Sequence, residues 1–268
     1  MQSTFLLESM VSRMDDKETV NSKKGKRARV IITIIIILCI LAAFGIICYI
    51  WYTNDDDDFE EIQAYYDELQ PDDETLEETS GDYLKSLLAI NDETVAWLVI
   101  PGTNINTPVM ACDDNEYYLN HGFDKEYSGY GVPFLDYRCN TDFSDFVSII
   151  YGHNIKNSKV FGELNLFREQ EFLDSYNIGY LVLNDVKYRI NFFACLVAEK
   201  EGFLYDDIVF LNDDEKQEYV DEILDTAVTK LSDIPDDLTD EQLVVISTCT
   251  AHGLETRTAL IGYLSEWE

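Results

Sequence analysis

Short apolar segments separated by polar turns dominate the chain after residue 93. Their β-branched and aromatic residues, bounded by turn-forming residues, are typical of β-strands. Asn184 and Asp185 interrupt the longest segment and indicate a hairpin turn there. The pattern predicts strands in the segments 94–100, 145–151, 179–199, 242–249 and 257–264.

Helical spacing of apolar residues occurs in three places. In the acidic segment 53–80 it indicates a stalk that becomes an amphipathic helix. A second helix is predicted over 83–90. A third runs from Asp213 to Leu231 along one apolar stripe, with Asn212 as the N-cap and Glu215 three residues later.

The order of these elements indicates the fold class. A parallel, doubly wound sheet requires strands and helices that alternate regularly, and this chain shows several strands with one long helical excursion. We therefore predict a mainly β fold, a closed or nearly closed β-barrel decorated by helices.

Residues 30–52 form an apolar run of 23 residues without a charge, and about 20 are enough to cross the hydrocarbon core of a bilayer. Lysines and arginines precede the run and Asp55 to Asp58 follow it, so the positive-inside rule predicts a cytoplasmic N-terminus. The length of the run and its aromatic end favour an uncleaved signal anchor over a cleaved signal peptide.

The chain therefore divides into four predicted parts. Residues 1–29 are a cytoplasmic basic segment, 30–52 a single transmembrane anchor, 53–80 an acidic stalk and helix, and 81–268 an extracellular domain. The formal net charge of −33 repels phosphate backbones, so we expect no nucleic-acid partner.

The six cysteines are too few for a disulfide framework. Four cysteines lie outside the anchor, and one disulfide between two of Cys112, Cys139 and Cys195 is possible. Buried free thiols are the default interpretation. Cys249 differs because it follows an apolar run directly and stands in a polar setting.

Cys249, His153 and Arg257 are the candidate catalytic residues. Cys249 ends a predicted strand, and His153 lies where another strand gives way to a glycine-containing turn. A thiol and an imidazole together can form an activated nucleophile. Arg257 opens the final strand eight residues after Cys249, where its fixed positive charge could stabilise an oxyanion.

Five separated motifs make the chain from Thr94 onward resemble class B sortases. They agree in order and spacing and are TVAWLVIPGTNINTPVM (94–110), DDNEYYLNHGF (113–123), GVPFLDYR (131–138), IIYGHN with FGELNLF (149–154 and 161–167), and ISTC with an Arg on the next strand (246–249 and 257).

This resemblance implies a sortase-type β-barrel with N-terminal helices and a helix in the loop preceding the cysteine strand. It implies that the thiolate of Cys249 attacks the Thr carbonyl of a sorting signal, that His153 serves as acid and base, and that Arg257 steadies the substrate. Ser247 and Thr248 would contact the peptide. No metal or organic cofactor is expected. The implied partners are sorting-signal peptides of secreted surface proteins and a peptidoglycan amine, at the surface of a Gram-positive cell.

The chain departs from the family pattern near the cysteine. Thr250 and Ala251 stand where class B members often carry an acidic residue, and Ile246 replaces the usual Leu. His252 is a rival base or half of a metal site with Cys249. A lone Cys-x-x-His pair is, however, a weak metal signal. His121 lies inside a resembling motif, and we expect it to be structural.

Three other functions compete with this interpretation. A pilin-polymerising enzyme would use a Lys amine as the acceptor. A catalytically silent surface-binding module would keep the fold without a reactive thiol. A papain-like protease is disfavoured because its Cys precedes its His in the chain.

Overall fold

The chain divides into two compact units, Met1–Ile62 and Gln63–Glu268. The computed structural model describes residues 33–46, 60, 64, 66, 80–155, 159–206, 208–249 and 256–266. Residues 33–46 are helical, with exposed Ile and Leu side chains. Among the described helices, none has both the length and the apolar character needed to cross a membrane. The described residues include 33–46 of the predicted anchor 30–52, but only 60, 64, 66 and 80 of the predicted stalk 53–80, and both assignments stay predictions.

The second unit is a mainly β domain, as the sequence predicts. Among the residues described without interruption, its helices are α1 (Ser80–Ile90), α2 (Gln170–Ser175) and α3 (Asp213–Thr226). Its strands are β1 (Thr94–Ile100), β2 (Ile105–Met110), β3 (Phe134–Leu135), β4 (Val147–Ile155), β5 (Lys159–Val160), β6 (Ile178–Val182), β7 (Lys187–Glu199), β8 (Thr229–Lys230), β9 (Leu243–Cys249) and β10 (Thr256–Glu266). Two 3₁₀ segments, Tyr117–Leu119 and Gly162–Arg168, connect them.

Eight strands close into a mixed barrel in the order β10, β9, β4, β3, β2, β1, β6 and β7, with β7 pairing back to β10. The pairs β2 with β3 and β4 with β9 are parallel, and the others around the ring are antiparallel. Fully buried side chains such as Trp97, Phe134 and Phe192 fill the core. A closed sheet leaves no unpaired edge in the ring, so its strand ends can carry functional groups on a rigid frame.

The hairpin at Asn184–Asp185 is confirmed. The backbone amide of Leu183 donates to the carbonyl of Val186 at 2.9 Å, and β6 pairs with β7 on either side of the turn. The predicted segment 179–199 is therefore two strands.

The predicted extent of the third helix is wrong at its C-terminal end. Asn212 caps α3 by accepting a hydrogen bond from the amide of Glu215 at 3.0 Å, as expected. The helix ends at Thr226 instead of Leu231, because Thr229 and Lys230 pair with β7 as strand β8. Thr229 is buried and donates its hydroxyl to the carbonyl of Phe167 at 2.6 Å, and this tertiary contact outweighs the helical pattern.

Candidate active site

The pairing of three strands brings Cys249, His153 and Arg257 to one end of the barrel. In the parallel pair β4 and β9, His153 is the direct register partner of Cys249. In the antiparallel pair β9 and β10, Ala259 opposes Ser247. This ladder ends at Ala259 and Ser247, and Arg257 and Cys249 each lie two residues beyond its last pair. The backbone pairing thus brings the three candidate positions to neighbouring strand ends.

The period of two along a strand extends this arrangement to a common face. Tyr151 lies two residues before His153 on β4 and pairs with Ser247 on β9. Positions 151, 153, 247, 249 and 257 therefore share one face of the sheet. The structure thus gathers a histidine, a cysteine, an arginine and a tyrosine from three strands.

A backbone carbonyl orients the imidazole of His153. Its Nε2 lies 2.7 Å from the carbonyl oxygen of Leu119. Because a carbonyl can only accept, Nε2 carries the proton, and Nδ1 is the nitrogen left to exchange a proton at the site. The Leu119 carbonyl thus takes the orienting role that a carboxylate plays in other triads. The residues Thr250 and Ala251, at the positions where such a carboxylate was in doubt, lie outside the described residues.

The segment that presents this carbonyl is itself held rigidly. Tyr118 is buried and its hydroxyl donates to the carboxylate of Glu93 and accepts from Asn91 Nδ2 at 3.1 Å. Burial, followed by the hydrogen bond to Glu93, raises the pKa of Tyr118 well above its usual value. Gly131 has φ +60° and packs against the carbonyls of Tyr118 and Leu119. The segment can approach this closely because residue 131 has no side chain.

His121 has a structural position, as expected. Its Nδ1 lies 2.7 Å from the carbonyl oxygen of Tyr117, and its ring stacks on the Tyr117 ring with centroids 4.0 Å apart. His252, the rival base, lies outside the described residues. His153 is therefore the histidine that the described structure places beside the cysteine strand.

The guanidinium of Arg257 is held by two aromatic rings. Its central carbon lies 4.9 Å from the ring centroid of Tyr205 and 5.3 Å from that of Tyr151, distances typical of cation–π contacts. The Arg257 Nε is buried and has no hydrogen-bond acceptor within the described part of the chain. The rings thus fix the cation without occupying this donor, which suits a group that must bind a developing negative charge.

Ser247 and Thr248 are buried and hydrogen-bonded within the protein. The Ser247 hydroxyl lies 2.8 Å from the hydroxyl of Tyr205, and Thr248 Oγ1 accepts from the amide of Thr258 at 2.9 Å. This geometry gives both residues a role in building the site. Their predicted contact with a peptide stays a prediction, and the geometry does not favour it.

Cys139 and Cys195 have the character of buried structural cysteines, whereas Cys112 is partly exposed. Burial raises the pKa of Cys139 and of Cys195 to about 12, and it also raises the pKa of Cys112. All three are free, so the disulfide that the sequence left open does not form among them. No group of three or more potential metal ligands occurs among the described residues.

Several residues of the site were missed by the sequence analysis. Tyr205 lies in the long connection between β7 and α3, where no periodicity indicates its role. Asp136 and Arg138 fall within the GVPFLDYR motif, which was noted without a role for either residue. Tyr151 was detectable, because a residue two positions before a catalytic candidate on a strand shares its face.

Several known proteins are similar to this chain in sequence or fold. No family model matches the chain. Sortase B of Staphylococcus aureus is 27% identical over 241 residues, which are 88% of this chain and 95% of that protein. The crystal structure of a class B sortase from Streptococcus pyogenes involved in pilus biogenesis is 31% identical and covers 68% of this chain and 97% of its own, with a TM-score of 0.61. A sortase B complexed with triglycine superposes with a TM-score of 0.70 at 23% identity, over 81% of this chain and 99% of that one.

Proposed function

Since the chain belongs to the class B sortase family of cysteine transpeptidases, we propose that it cleaves the C-terminal sorting signal of surface proteins after a Thr and transfers the acyl group to a peptidoglycan amine. The observation that carries this proposal is the register of β9. It pairs Cys249 with His153 on β4, and β10 carries Arg257 two residues beyond its last pair with β9.

The first half of the reaction forms a thioester. The thiolate of Cys249 attacks the carbonyl carbon of the Thr residue, and the C–N bond of the scissile peptide breaks after a tetrahedral intermediate. His153 gives a proton to the departing amine. The Nε2–H of His153 is bonded to Leu119, so the proton that moves is the one on Nδ1.

The second half reverses these roles. His153 accepts a proton through Nδ1 from the incoming amine, which attacks the thioester and releases Cys249. In both halves, negative charge develops on the carbonyl oxygen. The guanidinium of Arg257, held between Tyr151 and Tyr205 with its Nε unoccupied, supplies the donor for that charge.

The Lys side chain of a pilin is a second candidate acceptor, besides the peptidoglycan amine. The class B sortase of Streptococcus pyogenes described above is involved in pilus biogenesis and is 31% identical to this chain. A pilin-polymerising enzyme would use the ε-amine of a Lys residue, whereas wall attachment uses the amine of a cell-wall peptide. Triglycine and a Lys-containing pilin peptide are therefore the two acceptors to compare.

The test uses the full-length protein in detergent, mixed with a library of Pro-x-Thr peptides and each acceptor in turn, and followed by mass spectrometry. We expect a thioacyl adduct on Cys249 and an amine-capped product, both absent in the Cys249→Ala variant. Preference for triglycine supports wall attachment, and preference for the Lys peptide supports pilin assembly. Absence of any adduct, together with a Cys249 that resists alkylation, would favour the silent binding module.

We also propose that residues 30–52 anchor the enzyme with its catalytic domain outside the cell. The support is the uncharged run, with basic residues before it and Asp55 to Asp58 after it. Protease added to intact cells should digest the domain, and alkaline carbonate should not extract the remaining fragment. A domain that is digested only after cell lysis contradicts the proposed orientation.

A further inference from the structure

A half-buried ion pair lies next to the two tyrosines that contact Arg257. The side chain of Asp136 is fully buried and that of Arg138 is 30% exposed. Arg138 donates from Nε to one carboxylate oxygen at 2.9 Å and from Nη2 to the other at 2.8 Å. Although burial opposes ionisation of Asp136, the hydrogen bonds from Arg138 outweigh it and lower the pKa of the carboxyl. The pair is therefore a fixed, doubly bonded unit.

This unit holds both tyrosines that flank Arg257. The hydroxyl of Tyr151 donates to Asp136 at 3.1 Å. Arg138 donates through Nη2 to the carbonyl of Tyr205 at 2.8 Å and through Nη1 to the carbonyl of Asp206 at 3.1 Å. The two tyrosines are 54 residues apart in the chain, and they are connected through one carboxylate and one guanidinium.

The position of Arg257 depends on these rings. Its guanidinium lies within about 5 Å of both ring centroids. Its buried Nε has no hydrogen-bond acceptor among the described residues. Buried ion pairs contribute little net stability, because desolvation offsets most of the Coulomb attraction, but they can specify one arrangement of the groups around them.

We propose that Asp136 and Arg138 are positioning residues that set the place of the Arg257 guanidinium beside Cys249 by fixing the rings of Tyr151 and Tyr205. The proposal rests on the proposed function, because it gives the pair a purpose only where Arg257 stabilises charge at the thiol. It predicts that weakening the pair displaces the cation without removing it.

The test measures the positive charge at Cys249 directly. The full-length protein in detergent is alkylated with iodoacetate and with iodoacetamide, and the rate at the Cys249 peptide is followed by mass spectrometry. A nearby cation accelerates the anionic reagent over the neutral one, so the ratio of the two rates reports the position of Arg257. The ratio cancels changes in the reactivity of the thiol or in general access to it. Arg257→Ala should lower the ratio by about fivefold, as expected for the loss of one nearby charge in a partly solvated site.

Arg138→Lys keeps the charge but loses the forked donation to Asp136 and the Tyr205 carbonyl. We expect it to lower the ratio by about threefold, and to lower it no further in the Arg257→Ala background. Tyr151→Phe keeps the ring, loses only its bond to Asp136, and should give a smaller decrease. Arg189→Lys is the matched control, because Arg189 is exposed near the other end of the β7 and β10 pair.

The outcomes separate this inference from the proposed function, because alkylation needs no peptide substrate. A ratio for Arg138→Lys and Tyr151→Phe equal to that of wild type, in an enzyme that still forms product, overturns the positioning role and leaves the transpeptidase intact. An inactive wild type with the expected ratios refutes the proposed function alone. If Arg138→Lys lowers the rate ratio equally in the Arg257→Ala background, Arg138 acts through the general stability of the fold and not through Arg257. That result also overturns the proposal.

Discussion

Gly131→Ala is the substitution that tests the role of the Leu119 carbonyl. Gly131 has φ +60°, a conformation that costs Ala roughly 1 kcal/mol more than Gly. A Cβ at this position would lie 2.4 Å from the carbonyl oxygen of Tyr118 and 2.9 Å from that of Leu119. Both contacts are to backbone atoms, so the segment itself must shift.

The size of the effect follows from these distances. An ordinary carbon–oxygen contact is roughly 3.3 Å, so the Tyr118 carbonyl must retreat by close to 1 Å. Strain and displacement together should cost about 3 kcal/mol of unfolding free energy, which lowers Tm by roughly 6–12 °C for a domain of this size. Because Leu119 moves with Tyr118, His153 loses its fixed orientation. A displacement of about 1 Å near the reacting groups can lower kcat by up to about 100-fold.

The assay compares Gly131→Ala with Gly129→Ala. Gly129 lies two residues earlier in the same segment, and a Cβ there would meet no atom within 4 Å. Initial rates of transpeptidation are measured at least ~15 °C below the lower Tm, so that both variants are folded. We expect a decrease of about 10-fold to 100-fold in kcat for Gly131→Ala and less than about twofold for Gly129→Ala. Equal kcat values would refute the orienting role of the Leu119 carbonyl.

Three further predictions follow from the site. Arg257→Lys keeps the charge but should lower kcat by about 10-fold to 1,000-fold, measured by steady-state kinetics. The reason is that an ammonium lacks the planar guanidinium donor that lies against the rings of Tyr151 and Tyr205. At pH ~8, iodoacetamide should modify Cys249 long before Cys139 or Cys195, whose pKa values burial raises to about 12, and peptide mapping gives the order of reaction. Asp136→Asn should lower Tm at pH ~7, and the difference from wild type should shrink below pH ~4. The reason is that the pKa of Asp136 is lowered in the folded state. The stability contributed by its carboxylate is therefore complete above the unfolded pKa and is lost as pH falls through the folded pKa. Calorimetry across this pH range checks the sign.

The strands show how far local pattern carries a prediction. β1 has the predicted bounds, and β9 and β10 differ from theirs by one or two residues, because β-branched runs bounded by turn residues are a local signal. β2 was missed because it is short and contains Pro108, which lowers its strand character. β8 was assigned to a helix because its residues continue an apolar stripe, and only the pairing with β7 turns them into a strand. Local periodicity cannot show such pairing.

Some residues of the candidate site can likewise be recognised from the local sequence, whereas others depend on contacts between distant parts of the chain. The candidates Cys249, His153 and Arg257 were chosen from their positions at predicted strand ends and from the family motifs. The Leu119 carbonyl could not be predicted, since a backbone acceptor has no residue signature and lies 34 residues from His153. The contacts of Tyr205 likewise depend on a partner 67 residues away along the chain.

Composition, periodicity and motifs were enough to predict the fold class, the candidate nucleophile, acid–base residue and cation, and a membrane anchor, because each of these signals is carried by residues close together in the chain. Tertiary packing alone pairs β4 and β9 in parallel with His153 opposite Cys249, and it connects the ion pair of Asp136 and Arg138 to the Tyr151 hydroxyl and the Tyr205 carbonyl. Strand register is set when the barrel closes and its core packs, and these contacts join residues far apart in the chain.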